Sequence, residues 1–476
     1  MLKPVAALLL AFTAQAAWAQ AGSPEKPLRP DQAEFRSLYK ELVETNTEVT
    51  DGSCTEAADQ LAARLRSAGI PDSQITLFSV PDHPKDGGIV AVYPGTSPAL
   101  KPLLLLAHID VVVAKRSDWV RDPFTLIEEN GYFFGRGTAD DKSMAAIWAD
   151  MLARFEREHY RPKRTIKMAL TCGEETSGAF NGAQWLANNR RQLIDAGFAL
   201  NEGGGGETNG KGVSQGGKLA VQTIQVGEKA YQDFTLTATN PGGHSSQPVR
   251  KNAIYEMADA LDRVRDLEFP VEFNATTRAY FAQAGKSRND AVGQAMMALA
   301  ANPADKQAEA VVNGDKELHS MLRTTCVATM IDGGHALNAL PQKVTANVNC
   351  RMFPGRTADE TRAALVAAIG NADVTVAPRE TGKPIAQVPP LDPAVIGPMK
   401  QLSARYFPGV PIVPTMSTGA TDGLYMAAVG IPTYGVPGVW GDPDGNGVHG
   451  LNERIEVQSL YVGRDYLTDL VKAYTK

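Results

Sequence analysis

Cysteine is scarce. The 476 residues hold four, at positions 54, 172, 326 and 350, far apart and never as a C-x-x-C pair. That spacing excludes a disulfide scaffold, a cysteine zinc site and a dithiol redox motif. Like-charge blocks are missing too, and Lys plus Arg (47) nearly balances Asp plus Glu (53), so nothing resembles the footprint of a nucleic-acid binder. Beyond the N-terminal segment no unbroken apolar run reaches the roughly 18 residues a membrane span needs, which excludes stable membrane insertion. There is no internal repeat. The one low-complexity tract, Gly203 to Gly206, lacks the G-x-G-x-x-G spacing of a dinucleotide fingerprint. What remains is ordinary globular composition, 43% hydrophobic and 21% charged, with length for two or three domains at roughly 150 residues each.

Residues 1–19, MLKPVAALLLAFTAQAAWA, combine one charge at Lys3, a short apolar stretch and a small-x-small end at Ala17-Trp18-Ala19. This pattern predicts a cleavable signal peptide, hence a secreted or periplasmic protein. Ala21 to Pro30 reads as a flexible lead-in. Export makes the cysteines candidates for disulfides. If Cys326 to Ile331 and Thr345 to Arg351 pair as antiparallel strands with Ile331 facing Thr345, Cys326 faces Cys350.

Short apolar runs alternate with helical patterns: Pro102 to Ala107, a helix from about Ser143 to Arg157, Thr165 to Thr171, a helix from Ala183 to Ala196, then Phe198 to Leu200. Such alternation predicts βαβ units and a doubly wound, largely parallel α/β sheet. From about Lys229 the pattern becomes alternating strands with helices at Ala253 to Arg265 and Ala358 to Ile369, the arithmetic of an inserted α+β domain. After Lys383 the α/β pattern returns, with a helix near Pro398 to Tyr406. The expected boundaries are 1–19 for the signal, 20–228 for the first stretch of the catalytic domain, 229–382 for the insertion, and 383–476 for the stretch that completes the catalytic domain.

Polar clusters follow the predicted strands, where open α/β sheets place their ligands. His108-Ile109-Asp110 follows the first run, Asp140-Asp141 follows a Gly-Arg-Gly turn, Cys172-Gly173-Glu174-Glu175 follows the second run, and Asn201-Glu202 the third. Singly, each has a plain reading: a structural histidine, an N-cap aspartate, first-turn acids at a helix dipole. Together they gather costly carboxylates at one sheet edge, which favours a cation. Imidazole plus carboxylate without thiolate suits Zn(II), with Co(II) or Mn(II) as alternatives. Of two adjacent acids, one can bind metal while the other accepts a proton.

The set AHIDVV, GRGTADDK, CGEETSG, LNEGGG, NPGGHSS, NALPQKVTANVNCR, STGATDG and GVHGLNE, from about Phe35 to the C-terminus, resembles the di-zinc metallopeptidase family of aminoacylase, succinyl-diaminopimelate desuccinylase, glutamate carboxypeptidase, carnosinase and vacuolar carboxypeptidase S. The resemblance implies that the insertion is a ferredoxin-like lid through which the chain can dimerise. It implies two zinc ions per subunit, one on His108, Asp140 and Glu202, the other on Asp140, Glu175 and His449. Asp140 bridges, being two before Lys142. Glu174 is the general base, and Asp110 accepts the ring N–H of His108. His244 would be an oxyanion donor, often supplied by the partner subunit; Asn338 and Arg351 would meet the substrate carboxylate, and Gly419 would line the pocket. The implied reaction is hydrolysis, by a metal-bound hydroxide, of a small peptide or N-acyl amino acid next to a free carboxylate. Ser417 to Thr421 departs from the glycine pair of many relatives. An aminopeptidase of the related single-domain zinc class is an alternative that the insertion argues against. A non-catalytic exported peptide-binding protein on the same scaffold would usually have lost a ligand or the base. The remaining histidines, His83, His159, His319 (in a variable insertion) and His335, read as structural or loop residues.

Overall fold

The computed structural model describes residues 28–476, apart from 177–179, 210, 381 and 386–387. The expected signal, residues 1–19, lies outside the described residues. Pro30, expected to end the flexible lead-in, instead opens the helix Pro30–Glu44, where a fixed φ and a missing N–H cost nothing.

Ten strands form one mixed sheet among the described residues. At its centre Ile166–Thr171, Leu103–His108, Phe198–Asn201 and Thr433–Gly435 lie side by side in parallel. All six residues of Leu103–His108 are buried, because both faces are covered. Leu103, Leu105 and Ala107 pack under the helices Pro30–Glu44, Cys54–Ser67, Lys142–Arg157, Pro393–Tyr406 and Val457–Thr475. Leu104 and Leu106 face the opposite core with Gly182–Asn189, Arg191–Ile194 and Gly423–Ala428. Each buried leucine contributes about 1.5–3 kcal/mol. The strand therefore holds His108, at its end, on a stiff frame.

Two helices differ from expectation. The one expected over Ala183 to Ala196 breaks at Arg190 (φ −138°, ψ 37°), after an Asn pair whose Asn189 amide donates back to the Trp185 carbonyl. The one expected near Pro398 begins at Pro393, because Asp392 caps it by accepting from the Ala394 N–H; Pro398 sits inside, forfeiting one helical bond.

The second sheet is antiparallel, in the order Thr325–Gly333, Lys343–Met352, Ala230–Thr239, Val374–Arg379. With helices Ala253–Arg265 and Ala358–Ile369 on one face, the chain order is βαββαβ, the ferredoxin-like arrangement. In Lys343–Met352, Val344, Ala346, Val348, Cys350 and Met352 are buried under these helices, and the residues between them, Arg351 included, take the other face. Cys326 does face Cys350, and the two form a disulfide. Ile331, however, faces Ala346 rather than Thr345, since a bulge at Thr329 shifts the register by one. Between the lid's first helix and its second strand lie four further helices, Ala275–Ser287, Ala291–Ala301, Lys306–Val312 and Lys316–Met321, around their own small core.

A second disulfide joins Cys54, at the start of its helix, to Cys172, 118 residues on and two before Glu174. No local register could have revealed it. Closing so long a loop is worth about 5 kcal/mol in the unfolded-chain account, and native bridges typically deliver about 2–4 kcal/mol. Cys172→Ser should therefore lower Tm by several degrees in a thermal melt. An unchanged Tm would show that this bridge carries no stability.

Candidate metal centre

Three neighbouring parallel strands deliver the acidic cluster. Leu103–His108 ends in His108, Ile166–Thr171 runs into Glu174-Glu175, and Phe198–Asn201 into Glu202. The turn before Glu174 requires Gly173: its φ is +93°, and a Cβ there would lie 1.9 Å from the Phe180 carbonyl oxygen. Asp140 and Asp141 come from the loop before helix Lys142–Arg157, and His449 from a loop near the C-terminus.

His108 fixes the logic of the site. Its Nδ1 lies 3.0 Å from the Asp110 backbone carbonyl, which can only accept, so Nδ1 carries the proton. Nε2 is then left facing Asp140 Oδ1 at 3.0 Å and Glu202 Oε2 at 3.9 Å. On the far side of Asp140, Oδ2 lies 3.2 Å from His449 Nε2, which is 2.9 Å from the Glu175 carboxylate. Two lone-pair-bearing groups at such distances need a positive charge between them, either a proton or a metal ion. His449 is held in the left-handed region (φ +60°), a conformation that costs a non-glycine residue about 1–3 kcal/mol and persists only where its surroundings enforce it.

Electrostatics agree. Burial pushes the Glu174 carboxyl up to about 8, aided by Asp422, Glu175 and Asp110, and also raises Asp141 and Glu202. Asp140 goes the other way: burial works against its charge, but hydrogen bonds from His108 and His449 hold it below the usual carboxylate range. Hydrogen bonds to Asp140 and Glu175 raise His449 to about 10.

A divalent metal fits this set. Five carboxylates, Asp140, Asp141, Glu174, Glu175 and Glu202, face two imidazoles, and the buried Asp141 Oδ2 has no hydrogen-bond partner. The ligand atoms of His108, Asp140 and Glu175, and those of His108, Asp141 and Glu202, each lie within 4.8 Å of one another. Nitrogen and oxygen donors without thiolate suit zinc, cobalt or manganese.

The structure thus brings His108, Asp140, Glu175, Glu202, His449 and Glu174 together. Asp110 differs from expectation. The nearer acceptor for His108 is its backbone carbonyl; its carboxylate, 3.5 Å from Nδ1, accepts the backbone N–H groups of Glu174 and Glu175 at 3.3 and 3.0 Å. Its side chain holds the Glu pair in place. Arg351 is half-buried over the Tyr231 ring, 4.7 Å from its centroid; burial works against its charge and lowers its pKa, which Tyr231, Asp233, Glu228 and Glu174 only partly offset. Gly419 lies in the loop whose Thr421 donates to Glu228, and a Cβ at Gly419 would meet only Ser417 Oγ at 3.4 Å. His244 and Asn338 sit apart: they share an exposed lid tip, joined by the Ser245 N–H to the Asn338 carbonyl, and no hydrogen bond or ion pair links them to the cluster among the described residues.

Sequence reasoning missed Glu453 and Asp141. Glu453 binds the loop that carries Asp140, and the Asn-Glu ending of GVHGLNE was its only trace. Asp141 lies beside His108 and Glu202, a place its neighbour's claim to the bridge obscured.

A doubly wound domain with carboxylates and imidazoles at its strand ends, beneath a ferredoxin-like lid, defines a metal-dependent hydrolase of the peptidase and amidohydrolase class. The model of peptidase family M20/M25/M40 matches residues 104–473, and the chain belongs to that family. It is 28% identical over 385 residues to the N-fatty-acyl-amino acid synthase/hydrolase PM20D1 of Homo sapiens, covering 79% of this chain and 75% of that one. To carboxypeptidase S of Saccharomyces cerevisiae it is 30% identical over 280 residues, covering 56% and 47%. The fold matches the M20 family metallo-carboxypeptidase Sso-CP2 from Sulfolobus solfataricus with a TM-score of 0.67 at 18% identity, covering 94% of this chain and 99% of that one.

Proposed function

We propose that the protein is an exported di-zinc exopeptidase or amidohydrolase that cleaves an amide whose nitrogen belongs to an amino acid with a free carboxylate. The observation that carries this reading is the Asp140 carboxylate, one oxygen toward His108 and the other toward His449. One zinc would rest on His108, Asp140 and Glu202, the second on Asp140, Glu175 and His449. Bound there, the metals polarise the scissile carbonyl and acidify water. Glu174 takes the proton of the attacking water and delivers it to the leaving nitrogen. A buried carboxyl poised above its ordinary range suits that exchange. Asp110 keeps the Glu174-Glu175 turn in place through two backbone N–H groups.

The relatives' names span N-fatty-acyl amino acids and carboxypeptidase substrates. Both share an amide next to a free α-carboxylate. Arg351 would pair with that carboxylate in the bidentate way a guanidinium allows and an ammonium does not. Arg351→Lys should then lower kcat/KM about 10-fold or more without changing metal content, and C-terminally amidated substrates should react poorly with the unaltered enzyme. Equal kcat/KM for amidated and free-acid substrates would contradict the assignment. Screening dipeptides against N-acyl amino acids, with amidated controls, tests the function as a whole.

Export is supported by the two disulfides, which persist in oxidising compartments. A homodimer through the lid is supported by its edge strand, where Val327, Met330 and Ile331 are exposed beside unpaired backbone groups. In such a dimer His244 and Asn338, remote from their own cluster, reach the site of the second chain. Gly419 belongs to the pocket wall beside Glu228.

A further inference from the structure

Glu453 follows His449 by four residues, and its side chain is 1% exposed. A buried carboxylate is expensive unless every lone pair finds a donor. Here four donors converge on it. Oε2 accepts from Arg136 Nη1 at 2.7 Å and from the Gly137 N–H at 3.0 Å; Oε1 accepts from the Ala139 N–H at 2.9 Å and from the Asp140 N–H at 3.1 Å. The Glu453 backbone carbonyl accepts from the Gly135 N–H as well. Arg136, over the Trp119 ring, turns its other nitrogen to the carbonyl of Gly450, the residue after His449. Two segments more than 300 residues apart in the chain are thereby joined side by side.

What those segments carry gives the contact its meaning. One ends in Asp140, whose own backbone N–H is among the four donors; the other contains His449, held in a costly backbone conformation. A lock required only for folding could sit anywhere along either loop. This one grips the bridging carboxylate's own peptide unit and, through Arg136, the peptide next to His449.

We propose that Glu453 is a positioning residue for the second metal site: with Arg136 it sets the Asp140–His449 spacing, so that the metal shared by Asp140, Glu175 and His449 binds tightly only while this carboxylate holds the two loops together. The inference rests on the di-metal reading above. Carboxylates that orient metal ligands typically change affinity 10- to 100-fold when altered, which sets the expected size.

The test uses the full chain stripped of metal. Glu453→Gln keeps the shape but loses the charge and points an amide N–H group at donors. Hydrogen exchange on metal-free protein should show faster exchange at the amides of Gly137, Ala139 and Asp140. Calorimetric titration with zinc should show one of the two binding events weakened 10- to 100-fold, and the visible spectrum of the cobalt-loaded protein should change. At saturating zinc, KM should match the unaltered enzyme and kcat should recover to within severalfold. Asp150→Asn is the stability control: Asp150 is the buried partner of Arg154 and Arg464, away from the cluster, and its loss should lower Tm while leaving zinc affinity unchanged. Unchanged zinc affinity and exchange in Glu453→Gln would overturn the proposal, as would an equal loss of affinity in Asp150→Asn. Should Glu453→Gln fail to fold, Arg136→Met, which leaves three of the four donors, carries the test; severalfold weaker zinc binding supports the proposal and unaltered binding overturns it. Failure of the unaltered chain to bind any zinc would instead remove the di-metal reading itself.

Discussion

Glu174→Gln is expected to lower kcat by about 10²-fold or more while both metals stay bound. General-base transfer typically contributes 10² to 10⁴; once Asp140, Glu175 and Glu202 take the metals, Glu174 and Asp141 are left, and Asp141 clusters with His108 and Glu202 as a further candidate ligand, which leaves Glu174 for the proton. The electrostatics fit the role. Burial raises Glu174 to about 8, so the carboxyl holds a proton readily near neutrality, and a divalent cation close by draws it down to a working base. Glutamine preserves size and some hydrogen bonding but cannot accept a proton. Because the backbone N–H of residue 174, not its side chain, donates to Asp110, the turn should survive the change. Steady-state kinetics with metal analysis of the same sample provides the check, and near-normal kcat with both metals present would remove Glu174 from the reaction.

Asp140→Ala should have the opposite signature, with metal lost from both sites and activity lost with it. One carboxylate addresses both imidazoles, at 3.0 and 3.2 Å, so its removal leaves each site a ligand short and brings His108 and His449 together without the charge between them. Asp141→Asn separates the neighbours: if Asp140 is the bridge, this second substitution should reduce affinity at the first site alone. Elemental analysis after dialysis distinguishes the cases, and retention of both metals by Asp140→Ala would transfer the bridging role elsewhere.

Much of this was legible because the relevant signals are local. Leu103 to His108 is a continuous apolar run ending in a histidine, and a buried parallel strand allows little else there. The acidic clusters stood out because each follows such a run. The antiparallel Cys326–Cys350 pairing could be placed from strand alternation, although the bulge at Thr329, which arises from backbone geometry rather than side-chain pattern, put Ile331 one residue out of register. Long-range chemistry was not legible. The Cys54–Cys172 bridge and the grip of Glu453 on Asp140 join segments with no common periodicity. The lid's four extra helices fall in what reads as a variable insertion, yet each is preceded by an Asx residue, Asn274, Asp290, Asp305 or Asp315, whose side chain accepts from the first turn. That capping signal is in the sequence and suffices to find them. Asp110 shows a subtler limit: its place near His108 and the Glu pair was foreseeable, but which of its oxygens each would meet depended on the path of the backbone between them.

The central claim is that two divalent ions at Asp140 are needed for hydrolysis. It is tested most directly by stripping the purified chain with a chelator and titrating zinc back while following hydrolysis of an N-acyl amino acid. Negligible activity is expected in the metal-free protein, with a rise that saturates at two zinc ions per chain. Full activity without metal, or saturation at a single ion, would contradict it.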